Sequence, residues 1–313
     1  MLISIVLPVY NVGKYIERSL LSCMGQTCSG IEIIVVDDCG HDDSIEQAER
    51  LAQKDQRIKI VRNKENMGTY HARRIGVENS TGEYILFLDP DDELRLEAVD
   101  KISAAALGGA DLIFYGVQNF PPKKAWQSTP GIPFLSKEVS YLESIDKILS
   151  CSKLQFGTPG KVIRRTVLEK SYSLLRIKDD QRLIFGEDVL LFAAVLMEMR
   201  TSVSLEARLY VYYENESSIS SIFEDGRLLF NANQLGAIIA KIEALPYASR
   251  SSKLIKASCV KRLEINRLRL EARQRCNFRE RALKYVSILS RTRSFKDAVR
   301  LLVFLISIGH KNI

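Results

Sequence analysis

The run Tyr84-Ile85-Leu86-Phe87-Leu88 is apolar throughout and ends on Asp89-Pro90-Asp91-Asp92, three carboxylates within four positions. Carboxylates crowded at the end of a buried strand repel one another unless protons or a cation intervene. Ligands made only of oxygen suit a hard divalent ion, Mg²⁺ or Mn²⁺, of the kind that also holds substrate phosphates. The spacing points to a site for a nucleotide diphosphate, although Asp-Pro-Asp-Asp is also sound turn chemistry. A second pair, Asp37-Asp38, closes another apolar run. Its carboxylates can accept hydrogen bonds from a nucleobase imide and ribose hydroxyls, or cap a turn before a helix whose N-cap is Ser44. A third pair, Glu187-Asp188, opens an apolar helical stretch, a place where the helix dipole favours acidic side chains.

The elements that must position these groups alternate. Short β-branched runs at 3–8, 31–36, 57–62, 83–88 and 111–115 read as strands, and helical spacing at 14–24, 44–53, 69–79 and 94–107 separates them. Such an order implies a mainly parallel sheet with right-handed crossovers, which binds ligands beyond the carboxyl ends of its strands. Residues 8–11, 37–38 and 89–92 all fall at those ends, so three distant motifs converge on one crevice. The middle is less regular. It reads as a loop at 120–133, helices at 141–149 and 165–172, a helix at 189–199 entered through Phe185-Gly186-Glu187-Asp188, and a strand at 203–213. From Arg227 onward the pattern is three or four helices.

With 313 residues, 46% hydrophobic and 27% charged, the chain has the balance of a folded α/β protein and not of a disordered one. Six scattered cysteines without a Cys-x-x-Cys pair, and only three histidines, argue against a disulfide framework or a zinc site. Met1-Leu2-Ile3-Ser4 lacks the basic start of a signal peptide and reads as the lead into a first strand, so a reducing cytoplasm is the expected compartment. From Arg227 to the end stand 19 Lys/Arg against 5 Asp/Glu, a surplus of 14 in a chain of net charge +7. The body is therefore mildly acidic and the tail strongly basic. Lys253, Lys256, Lys261, Arg262, Arg267, Arg269, Arg273, Arg275, Arg279 and Arg281 interleave with apolar positions, and 298–308 is an apolar run of 11 residues, against about 20 needed to span a bilayer. A basic amphipathic segment suits the inner face of an anionic membrane; a solvated bundle or a homodimer through these helices is the alternative. No nucleic-acid reading motif accompanies the charge.

Five segments, ISIVLPVYNVGKYIERSL, IEIIVVDDCGHDDS, NKENMGTYHARRIGV, GEYILFLDPDDEL and FGEDVLLF, resemble in order and spacing the glycosyltransferase family 2 enzymes of the GT-A fold. The DDCG and NMGTYHAR variants resemble most the lipooligosaccharide and surface-polysaccharide galactosyltransferases of that family. The resemblance implies a GT-A type α/β fold, with a Rossmann-like, mainly parallel sheet flanked by helices. It implies a uridine site at Asp37 and Asp38 walled by Pro8, Val9 and Tyr10, although Tyr10 can equally be core. It implies Asp89 towards the ribose and Asp91 on a metal, Mn²⁺ or Mg²⁺, at the diphosphate, while Asp92 is better suited to capping the next helix. Gly68 and Arg73 match the family's Asn-x-Gly-x-x-x-Ala-Arg-Asn pattern, Arg73 binding the nucleotide or forming a structural ion pair. Arg74 stands where the family has Asn, and His71 reads as a helix-surface residue. Inverting transfer needs a base for the acceptor hydroxyl, and the matching pair makes Asp188 that base with Glu187 second. Lys161 matches a basic position, but Pro159-Gly160 replaces the aromatic that precedes it. Tyr210, Tyr212 and Tyr213 stack on an acceptor sugar or pack in a strand.

The expected organisation is a nucleotide-sugar-binding half at 1–115, an acceptor-binding half of the same domain at 116–222 and a basic helical region at 223–313. The expected activity is transfer of a hexose, galactose-type favoured, from a UDP-sugar to a lipid-linked glycan in bacterial surface-polysaccharide or lipooligosaccharide synthesis. A nucleotidyltransferase is disfavoured, since the loop after the first strand, YNVGKY, has a single glycine. A dead nucleotide-binding scaffold is disfavoured by the intact Asp89, Asp91 and Asp188.

Overall fold

A computed structural model describes residues 1–122, 131–136, 139–151, 153–215, 225–246, 249–273, 278–292 and 298. Most of the 120–133 loop, Arg275, Cys276 and all but the first residue of the 298–308 run lie outside the described residues. The elements are β1 (Ile3–Val9), α1 (Ile16–Met24), β2 (Ile31–Asp37), α2 (Ser44–Ala52), β3 (Ile58–Arg62), α3 (Thr69–Glu78), β4 (Tyr84–Phe87), β5 (Glu93–Leu94), α4 (Ala98–Ala106) and β6 (Leu112–Phe120). They continue with α5 (Tyr141–Ser150), β7 (Lys161–Arg164), α6 (Arg165–Leu175), α7 (Glu187–Glu198), β8 (Ser202–Tyr213), α8 (Asp225–Ala244), α9 (Arg250–Arg273) and α10 (Phe278–Thr292).

Among the described residues one sheet runs β3-β2-β1-β4-β7-β6-β8-β5. β1 is parallel to both β2 and β4, and β2 to β3, as right-handed crossovers through α1, α2 and α3 require. β1, β2 and β4 are buried nearly end to end, which is why they read as continuous apolar runs and not as alternation. α1 shows the complementary helical pattern, burying Ile16, Leu20 and Cys23 and exposing Leu21.

The second part of the sheet departs from the parallel rule. β7 enters antiparallel between β4 and β6, and β5 pairs antiparallel with β8. Neither strand was expected: β7 is four residues, and β5 occupies the start of the stretch read as a helix from 94. The sheet passes through both expected halves of the first 222 residues.

Two compact units divide the chain. The first comprises Met1–Asn215 with Ser249–Ile255 and contains the sheet. The second comprises Glu216–Ala248 with Lys256–Ile313; its described residues include α8, most of α9, and α10. In the second, α8 buries Leu228, Leu235, Ile238 and Ile242 at helical spacing. The C-terminus of α8 is closed by Lys256, whose Nζ donates to the carbonyls of Glu243 and Leu245 at 2.5 Å each.

At the edge of the sheet where β1 begins lies a buried carboxylate. Glu32 accepts from Ser4 Oγ at 2.6 Å, Thr81 N at 2.5 Å, Gly82 N at 3.0 Å and Lys59 Nζ at 2.7 Å. Burial opposes its charge, but Lys59, Ser4 and Thr81 outweigh it and lower its pKa to about 2.

Candidate active site

β1, β2 and β4 lie side by side, so their carboxyl ends open on one edge of the sheet. Val9 pairs with Asp37 across β1 and β2, and Asp38 N donates to Val9 O at 2.9 Å. Beyond Val9 the chain turns out: Tyr10 is 42% exposed, which places it at the rim and not in the core. Asn11 adopts φ 54°, and its Oδ1 accepts from His41 N at 2.7 Å, fastening the β1 turn to the β2 turn.

The two carboxylates of the Asp37-Asp38 pair are used differently. Asp38 is buried, and its oxygens accept from Asn63 Nδ2 at 2.8 Å, Met67 N at 2.9 Å and Gly68 N at 2.9 Å. That carboxylate shapes the 63–68 loop. Asp37 accepts from Cys39 N at 2.9 Å and keeps its other oxygen 3.8 Å from Arg62 Nε, so it is the member with spare accepting capacity. In the same loop both amide atoms of Asn66 are sealed from solvent without a hydrogen-bond partner among the described residues. Ser44 does not cap α2: the cap position is Asp43, and Ser44 Oγ accepts from Val12 N at 2.9 Å. Its neighbour Asp42 accepts from Gly13 N at 2.7 Å, so the pair holds the loop after β1.

Gly68 caps the start of α3, and its φ of 85° suits glycine. A Cβ there would stand 2.7 Å from Ile184 Cγ2 and 3.2 Å from Leu183 O. The segment leading to Glu187 is thus seated directly on the start of α3. His71 joins this seat: it is fully buried, with Nε2 3.0 Å from Gln181 O, contrary to its expected surface position. Arg74, in place of the family's Asn, pairs with Asp179 of the same segment.

Arg73 sits at the centre. It is 7% exposed; Nη2 contacts Asp89 Oδ1 at 2.8 Å and Nη1 contacts Glu187 Oε1 at 3.1 Å. Burial works against its charge, yet Asp89, Glu187 and Asp188 more than compensate and raise its pKa. Glu187 is pushed the other way, upward, by burial and by Asp188, with Arg73 opposing. Of the two readings of Arg73, the structure forms the ion pair, and it ties the Asp89 strand end to the helix that carries Asp188.

Asp188, half-buried, points an oxygen towards Gly157, 3.2 Å from where a Cβ would be, and its Oδ1 accepts from Val189 N at 2.7 Å. The Gly157 loop is braced by Lys161. That buried ammonium donates to the carbonyls of Gln155 at 2.8 Å, Gly157, and Pro159 at 3.4 Å, and lies 4.9 Å from the Phe192 ring of α7.

The Asp89–Asp92 turn folds back on β8. Asp92 is fully buried and caps no helix, since α4 begins later with Glu97 at its cap position. It accepts from Tyr210 Oη at 2.7 Å and Tyr213 N at 2.8 Å, and Tyr210 Oη in turn accepts from Asp89 N at 3.1 Å. Burial and Asp89 push its carboxyl pKa up. Tyr210 is therefore interior, and Tyr213 stacks against Arg18 with 3.6 Å from guanidinium carbon to ring centroid. Tyr212 alone of the three is half-buried with no such partner contact described; burial and then Asp92, Asp91 and Asp89 raise its pKa to about 12.

With Asp89 paired to Arg73 and Asp92 consumed by Tyr210, Asp91 is the carboxylate left for a cation. Burial and the charge of Asp89 push its pKa up, the mark of an anion short of positive charge. Among the described residues no three His, Cys, Asp or Glu side chains converge as a metal cage. One carboxylate with substrate phosphates completing the shell fits Mg²⁺ or Mn²⁺.

A parallel β1-β2-β4 edge opening on acidic strand ends, continued by an antiparallel insertion, is the arrangement of a GT-A type fold. The chain belongs to glycosyltransferase family 2, described as Glycosyl transferase family 2, whose model matches residues 4–171. It is 31% identical over 232 residues to an uncharacterized glycosyltransferase of Haemophilus influenzae, covering 74% of this chain and 86% of the relative. It is 35% identical over 100 residues to TuaG of Bacillus subtilis, a putative teichuronic acid biosynthesis glycosyltransferase, across 32% of this chain and 40% of the relative. Its fold superimposes on S. aureus TarS 1-349 in complex with UDP-GlcNAc with a TM-score of 0.66 at 19% identity, covering 93% of this chain and 81% of that one.

Proposed function

We propose that this chain is a cation-dependent, inverting hexosyltransferase that moves a sugar from UDP to a hydroxyl of a lipid-linked glycan during surface-polysaccharide or lipooligosaccharide synthesis. A galactose-type sugar is favoured by the DDCG and NMGTYHAR motif style. The observation that carries the reading is the Arg73 bridge, which couples a donor-side carboxylate, Asp89, to the helix bearing a candidate base. TarS, with a like fold and UDP-GlcNAc bound, supports a UDP donor. TuaG, named for teichuronic acid synthesis, supports a surface glycan as product.

Asp37 receives the nucleobase side, with Pro8, Val9 and Tyr10 lining the β1 end. Asp89, its second oxygen free of Arg73, faces the ribose. Asp91 would hold a divalent ion, which when bound would supply positive charge at the diphosphate. Asp188 takes the proton of the acceptor hydroxyl as that oxygen attacks the anomeric carbon from the face opposite UDP, and the bond from the sugar to the diphosphate breaks. The basic C-terminal region holds the enzyme at an anionic membrane, where a lipid-linked acceptor is concentrated. Among the described residues no helix is long and apolar enough to cross a membrane.

Hydrolysis of a panel of UDP- and GDP-sugars, with Mn²⁺ and with EDTA, tests this reading. One UDP-hexose should be cleaved slowly in Mn²⁺ and not in EDTA. Asp91→Ala should abolish that turnover with its thermal unfolding curve unchanged. Full activity in EDTA would remove the cation from the scheme.

A further inference from the structure

Asp91 is held from two sides, by Arg18 of α1 and by Asn215. Arg18 Nη2 donates to the Asp91 carbonyl oxygen at 2.5 Å, while Arg18 Nε pairs with Glu93 at 2.8 Å. Asn215, which closes the long segment Met1–Asn215 of the first unit, brings its Nδ2 to 3.4 Å from Asp91 Oδ2. Tyr15 Oη lies 3.1 Å from Asn215 Oδ1. The chemistry of the groups gives this chain a direction. An ionised carboxylate only accepts, so the amide must present its NH₂ to Asp91 and turn its oxygen to Tyr15, whose hydroxyl then donates. Tyr15 is the cap residue before α1 and Arg18 stands in its first turn, the guanidinium carbon 5.9 Å from the centroid of the Tyr15 ring. The one reaches the side chain of Asp91 through Asn215, and the other grips its main chain.

We propose that Asn215, oriented by Tyr15, is a positioning residue that fixes one oxygen of Asp91 and turns the other towards the cation and diphosphate. The proposal rests on the reading of Asp91 as the cation's carboxylate. Because Tyr15 directly follows the loop after β1, the same contact links the nucleobase side of the crevice to its diphosphate side. The amide oxygen is occupied by Tyr15, so Asn215 orients the ligand and is not itself one.

Isothermal titration of UDP into the full chain, in Mn²⁺ and in EDTA, separates the outcomes. The wild type should bind UDP more tightly in Mn²⁺. Asn215→Ala and Tyr15→Phe should each lose most of that gain, about tenfold for the alanine, with affinity in EDTA unchanged. The double variant should be no weaker than Asn215→Ala, since Tyr15 acts through Asn215. Tyr15→Phe removes one hydroxyl and keeps the ring, so it retains the fold if Asn215→Ala does not. An unaltered Mn²⁺ gain in both variants overturns the proposal, as does an equal loss in Mn²⁺ and EDTA. Tighter Mn²⁺ binding in Tyr15→Phe overturns it too, because a freed amide oxygen would then be coordinating the ion. A wild type with no Mn²⁺ gain refutes the cation reading itself, before any variant is measured.

Discussion

Glu187 and Asp188 are neighbours in the chain yet meet different surroundings. Glu187 is buried against Arg73, whereas Asp188 is half-buried beside the Gly157 loop. A base must exchange its proton with a substrate, so the accessible carboxylate is suited to the task and the ion-paired one to holding the helix. Asp188→Asn should therefore lower turnover roughly 100-fold or more with UDP affinity retained. Glu187→Gln should change stability only slightly in urea titration, because the fold disfavours the Glu187 charge and Arg73 keeps Asp89 as its second partner; if Glu187→Gln is the dead variant and Asp188→Asn stays active, their roles are exchanged. The acidic pairs were legible because each ends or begins an apolar run. The bridge from Arg73 to Glu187 was not, since the two stand 114 positions apart. Asp92 and Tyr210, 118 positions apart, escaped for the same reason, and the cap expected of Asp92 was displaced by a contact across the sheet. Asn66 lay within a quoted motif, but only burial reveals that its amide is unmet.

The order of strands and helices was readable because crossover units alternate apolar runs with helical spacing. β7 was not, being four residues that follow a Gly-Pro-rich loop and gain their place only by pairing with β4 and β6. His71 was misplaced because α3 is covered on two faces, by β1 and β2 on one and by the 181–184 segment on the other. That second face makes Gly68 a sensitive point. Gly68→Ala forces a methyl onto Ile184 and a left-handed φ onto alanine, so it should cost about 1–2 kcal/mol and displace the approach to Asp188. Activity should fall by more than stability explains, measured at a temperature where the variant is fully folded. At the other edge of the sheet Glu32, its pKa lowered from 4.5 to about 2, stabilises the fold above pH 4.5 and loses that contribution as pH falls towards 2. Glu32→Gln should be less stable than wild type by about 2 kcal/mol at pH 7. The gap should narrow steadily in urea titrations carried down to pH 3, and a gap independent of pH would assign the effect to lost hydrogen bonds alone.

At the scale of the whole chain, charge divides unevenly: the part from Arg227 onward carries a surplus of 14 positive charges, and the rest is acidic by 7. The outward side of α9 places Arg250, Lys253 and Lys261, all exposed, with Leu254 among them. Each cation near an anionic surface contributes about 1 kcal/mol, and salt screens it. The full chain should co-sediment with anionic vesicles at low salt and be released at high salt. Arg250→Glu with Lys253→Glu and Lys261→Glu should weaken that sedimentation, and equal recovery with neutral vesicles would favour self-association instead. The compact units add a consequence for how such a tail can be exchanged. Ser249–Ile255 belong with the sheet-bearing unit although Glu216–Ala248 before them do not, and α9 runs through the division without a break. Within that stretch Ser251 and Ile255 are buried. No single cut releases one unit whole. A fragment ended after Asn215 leaves a gap in its own body, and a tail grafted onto another core carries with it residues that fit only this one. Recombination that trades C-terminal segments must therefore either preserve this stretch in the recipient or repack the surface it fills.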